Sequence, residues 1–174
     1  MSPRSCGRIT ASCRDGAPTT ERYCPFGIQA IGGSIFVTYA RRDGVDDVPG
    51  HGHGFVRQFD TDGNLVAMVA SRGALNSPWG LAMSPADFGR FSGCLIVGNF
   101  GDGRLNAYCK DDEGFFHSSG SLRQDKHDVI IDGLWGIGFG NGAASGPINV
   151  LYFAAGPDGE TNGYFGKIEA VGSK

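Results

Sequence analysis

Apolar and polar positions alternate in short runs along most of this chain, the two-residue period of strands that bury one face. The pattern predicts strands near 26–31, 34–40, 55–60 and 64–70, then near 78–84, 94–99, 104–109 and 115–122. A third series opens with "LWGIGFG", continues with "NVLYFAAG" and ends with "YFGKIEAV". Between the runs stand turn residues, such as the "DTDGNL" at 60–65 that suits a tight hairpin.

Sliding the chain against itself gives three copies of one pattern. They are "PFGIQAIGGSIFVTYA" at 25–40, "PWGLAMS" leading to "GCLIVGNF" at 78–100, and "LWGIGFG" leading to "NVLYFAAG" at 134–156. Their aromatics stand at Phe26, Trp79 and Trp135, in steps of 53 and 56 residues, slightly longer than common propeller blades. Each copy reads as a four-stranded antiparallel blade, except that the third stops after its third strand. The innermost strand of a blade is crowded, so the glycines beside the aromatics allow close backbone approach and the aromatics fill space between neighbouring blades.

Thirty glycines in 174 residues far exceed the usual share of about 7%. They follow no Gly-X-Y period, so they are turn glycines of an all-β domain. A net charge of -3 provides no basic surface for nucleic acid or anionic lipid. No run approaches the roughly 18 apolar residues of a membrane span, and the first residues lack the apolar core of a secretory signal, so the chain as written reads as cytoplasmic. Residues 1–22 are polar, match no repeat and are expected to be disordered or poorly packed. Cys6, Cys13, Cys24, Cys94 and Cys109 show no zinc spacing and no complete disulfide framework. Cys94 and Cys109 face each other if their hairpin turns on Gly101 and Asp102, where two buried thiols are favoured over a disulfide.

The runs "LNSPWGLAMSPADFGRFSGCLIVGNFGDGRLNAY", "IDGLWGIGFGNG" and "LYFAAGPDGE", with the first copy, resemble the C-terminal half of an uncharacterised bacterial family of NHL-repeat-like propellers, over residues 23–171. The resemblance implies a six-bladed ring, usually exported, and no activity. On that reading the chain is an all-β propeller of about three blades (25–70, 78–122 and 134–171), half a ring. A truncated reading frame explains this, or two half-propellers pair as a homodimer that closes the ring.

Candidate chemistry lies in the loops between each blade's second and third strands, at the channel mouth. "NFGDGR" and "AGPDGET" place Asp102 and Asp158 at equivalent positions, with Asn99 and Glu160 as helpers. The longer "RRDGVDDVPGHGHG" adds Asp43, Asp46, Asp47, His51 and His53. Oxygen donors in that number suit calcium or magnesium, and a His pair with carboxylates suits zinc or manganese. Asp-Gly pairs are also ordinary turn chemistry. The "GNG" and "GDG" sequences lack the context of phosphate loops, and no serine has a nucleophile-elbow signature. Two functions follow. One is a non-catalytic binding or scaffold module for a protein or glycan partner. The other is a metal-assisted hydrolase of the lactonase-like propeller kind.

Overall fold

A computed structural model describes residues 22–44 and 46–171. The expectation for residues 1–22 falls outside the described residues, apart from Arg22, which opens the first strand. The fold is all-β. Strands β1 (Arg22–Ile31), β2 (Ser34–Arg42), β3 (Gly54–Phe59) and β4 (Leu65–Ser71) form one antiparallel meander. A second comprises β5 (Pro78–Met83), β6 (Leu95–Asn99), β7 (Leu105–Lys110) and β8 (Phe116–Ser121). After a two-stranded ribbon, β9 (Arg123–Gln124) and β10 (His127–Asp128), a third sheet contains β11 (Leu134–Phe139), β12 (Val150–Ala155) and β13 (Tyr164–Glu169). None of the described helices is long and apolar enough to cross a membrane.

Local chemistry sets these boundaries. Gly32 and Gly33 both take positive φ between Ile31 and its partner Ser34, the geometry of a two-residue hairpin turn that side chains resist. At the β3–β4 turn the Asp60 carboxylate accepts the Asp62 and Asn64 amides, an Asx turn that replaces lost ladder bonds.

The three larger sheets stack in chain order, in propeller fashion, with β1 against β5 and β5 against β11. Between the first two, Phe36 and Val56 pack with Leu81, Leu95, Val97 and Tyr108. Between the next two, Ile96 and Leu105 pack with Leu134, Leu151 and Phe153. Burial of Tyr108 pushes its phenol up to about 12.

Each inner strand slips register at the repeat's aromatic: between Pro25 and Gly27, between Pro78 and Gly80, and between Leu134 and Ile137. These bulges take Phe26, Trp79 and Trp135 out of the ladder. The adjoining glycines are sterically required. A Cβ on Gly27 would lie 2.3 Å from the Trp79 carbonyl oxygen, and one on Gly80 would lie 2.7 Å from that of Trp135.

One expectation is corrected. Cys94 and Cys109 do face each other across β6 and β7, in the anticipated register, but they form a disulfide rather than two free thiols. Their Cα atoms are 4.3 Å apart, at the close end of cross-strand pairs, which brings the sulfurs into bonding reach.

Candidate ligand-binding face

The turns after β2, β6 and β12, with the segments entering β5 and β11, make up one end of the stacked sheets. Trp79 enters this face from the start of β5, Phe26 from β1 and Phe100 from the turn after β6. Phe26 and Trp79 have ring centroids 4.8 Å apart, and Phe100 lies 5.9 Å from Trp79 and 6.1 Å from Phe26. The trio crosses the junction of the first two sheets, as space-filling aromatics should, yet Trp79 keeps 36% of its surface exposed. Trp135 behaves differently. Its indole N–H donates to Glu160 Oε1 at 2.9 Å. Its ring lies over Gly156, where a Cβ would come within 2.3 Å of it.

The expected polar residues separate into distinct environments. Asn99 is fully buried at the end of β6, where its Nδ2 donates to the Ala74 carbonyl at 2.8 Å and to Asp102 Oδ1 at 3.0 Å. Asp102 also accepts from the Arg104 amide and guanidinium, both at 3.2 Å. Arg104 reaches Asp128 at 3.3 Å, and Asp128 accepts further bonds from Ser121 and Arg123. Those bonds, Ser121 first and then Arg123, hold the Asp128 carboxyl below its ordinary value.

Asp158 occupies the position equivalent to Asp102 but is exposed and left-handed, with φ 57°. Its carboxylate accepts from Asn162 at 3.0 Å, while its amide donates to Asp132 at 3.1 Å. Repeat register therefore equates the two positions without giving them the same partners.

In the long loop after β2, His53 Nε2 lies 3.0 Å from Arg41 Nη1 and His53 Nδ1 lies 2.7 Å from the Val48 carbonyl. A guanidinium only donates, so Nε2 accepts and the proton sits on Nδ1. Both ring nitrogens are occupied. His51 is exposed. Asp43 accepts the Asp46 amide at 3.4 Å and Asp46 accepts the Asp47 amide at 2.9 Å, so both carboxylates engage the loop's own backbone. Among the described residues no group of three or more His, Cys, Asp or Glu side chains is placed to hold a metal ion.

Asp47 differs from these residues. Its Oδ2 is buried with no hydrogen-bond partner, in a cleft lined by Pro25, Phe26, Ala40, Arg41 and Asp46. Burial raises its carboxyl above the ordinary aspartate value, and the nearby Ser77 hydroxyl offsets this in part. Neither Asp47 Oδ2 nor Ser77 Oγ completes a hydrogen bond, and Asn99 Oδ1 is likewise buried without a partner. Ser77, at φ 47°, is fully buried in the segment that enters β5. Sequence reading missed Ser77 and Phe100. Phe100 had a signal, since it directly follows the repeat's Asn99, whereas the left-handed backbone of Ser77 leaves no mark in composition.

No family model matches the chain. Two uncharacterised proteins of Acanthamoeba polyphaga mimivirus are similar to it, one 36% identical over 154 residues and one 32% identical over 161 residues. These alignments cover 87% and 88% of this chain but 37% and 40% of the relatives, so the chain spans about two-fifths of their length. These relatives are viral, so the expected bacterial origin finds no support among them. A solved structure described as a "putative gluconolactonase" aligns with a TM-score of 0.48 and 19% identity, over 76% of this chain and 41% of its own.

Proposed function

We propose that the chain is a non-catalytic binding module whose mouth face takes a hydroxyl-rich ligand of the glycan class. The observation that supports this reading most is Asp47 Oδ2, a buried acceptor left open in a cleft whose wall, Phe26, continues into the Trp79–Phe100 ledge. A buried acceptor without a partner carries an unmet desolvation cost, which a ligand hydroxyl relieves by donating to it. Sugars offer such donors on one edge and an apolar C–H face for aromatic stacking on the other. Asp102, Asp158 and Glu160 supply further acceptors around the face, with Asn99 fully buried behind Asp102. The three stacked sheets are read as consecutive blades, half of a six-bladed ring. The Cys94–Cys109 disulfide supports an exported or otherwise oxidising location. Calcium or zinc held by Asp102, Asp158, His51 and His53 finds no supporting group of ligands among the described residues, so the hydrolase reading is not carried further.

The test is an array of immobilised glycans probed with the labelled chain and with Trp79→Ala and Asp47→Asn variants. We expect selective binding to one glycan class, weakened about tenfold by either substitution, which corresponds to roughly 1.4 kcal/mol. Absence of glycan binding, or binding that both variants retain in full, contradicts the proposal.

A further inference from the structure

The stacked sheets contain the same interface twice, and among the described residues the two outer faces of the stack are its unmatched halves. In the second sheet, the face turned to the first presents Leu81, Leu95, Val97 and Tyr108, all buried. In the third sheet, the face turned to the second presents Ile137, Leu151, Phe153 and Ile168. Strand register makes Ile28, Ile35, Val37 and Phe59 the equivalent four in the first sheet. Those four line an apolar recess with no sheet over it among the described residues, and Ile28 is 70% exposed.

The complementary side repeats as well. Gly27, Phe36, Thr38 and Val56 of the first sheet, and Gly80, Ile96, Gly98 and Leu105 of the second, face the sheet that follows. Their equivalents in the third are Gly136, Tyr152, Ala154 and Phe165, which line a second open groove, with Phe165 73% exposed. Gly136 is the informative member. A Cβ on Gly80 meets the Trp135 carbonyl and lies 3.0 Å from Ile137 Cγ1, whereas a Cβ on Gly136 meets nothing described within 4 Å. Gly136 also lacks the positive φ that would itself require glycine. It is a notch without its counterpart.

We infer that a second copy of this chain occupies these faces, the Ile28 face of each copy docking on the Gly136 face of the other, so that two half-rings close. The contact continues the interface already made at Gly27 and at Gly80, and closure removes both open apolar faces. The inference rests on reading the sheets as half a ring and is independent of the glycan ligand, so either can fail alone.

The test is solution mass by light scattering after size exclusion, on the full chain with disulfides intact, for wild type and Gly136→Trp. Far-ultraviolet circular dichroism shows whether the variant folds. Because no described residue crowds a Cβ at Gly136, the variant is expected to keep its fold. The expected result is twice the chain mass for wild type and the single-chain mass for Gly136→Trp, while Ile28→Asp, on the opposite face, gives the same loss. Wild type at single-chain mass, an open-ended series of larger species, or a dimer that both substitutions leave intact overturns the inference.

Discussion

Two aspartates at the mouth respond to pH in opposite directions. Asp47 carries a carboxyl raised by burial, so the fold favours its protonated form. Its contribution to stability is full below the unfolded value of about 3.9 and is lost as pH rises through the higher folded value. Thermal unfolding should therefore show Asp47→Asn gaining on wild type from acid to neutral pH, and a gap that narrows over that range contradicts the assignment. For Asp128, held below its ordinary value by Ser121, Arg123 and Arg104, the sign reverses. Its contribution is present above the unfolded value and lost as pH falls through the folded one. Asp128→Asn should accordingly fall below wild type at neutral pH and converge with it in acid. Sequence placed Asp102 and Asp158 at equivalent turn positions, because turn spacing follows the repeat. It could not separate Asp47 from Asp43 and Asp46, because the burial of the Asp47 carboxylate comes from the fold, which brings Ser77 beside it from a different loop.

At the scale of elements, the glycines beside the bulged aromatics fix how closely neighbouring sheets approach. Gly80→Ala would press a methyl against the Trp135 carbonyl and should cost about 1–3 kcal/mol in denaturant unfolding. Gly163→Ala, in open space, should stay within about 0.5 kcal/mol of wild type. Equal costs for the two would refute the close-approach reading. The Cys94–Cys109 bridge spans a sequence separation of 15 residues, a loop length for which removing the cross-link costs about 3 kcal/mol. A Cys94→Ala, Cys109→Ala double variant should lose stability on that scale, and an unchanged unfolding midpoint would mean the bridge does not form in solution. The main strands were legible from the chain because period-two alternation and turn residues agree along them. The β9–β10 ribbon was not, since two-residue strands carry no period. The cysteine register could be read from the hairpin, but bond formation depends on how close the strands come there, which spacing alone leaves open.

Among the described residues the three larger sheets stand in series, and the outer face of the first and of the third is open. Pattern reading reached the series and the open ends because the repeat is explicit in residues. Which side chains match across those ends became visible only with strand register, since Ile28 and Gly136 have no sequence relation beyond their place in the repeat. Gly80 meets Ile137 inside the chain, so Gly136 should meet Ile28 of a second copy. Joining these two positions tests the account most directly. Under mild oxidation, in a background with Cys6, Cys13 and Cys24 replaced by serine, chains carrying both Ile28→Cys and Gly136→Cys should form a covalent closed dimer on non-reducing gels, and each single variant should remain uncrosslinked. Failure of the double variant to crosslink, or equal crosslinking by a single variant, would contradict the claim that the two open faces are halves of one interface.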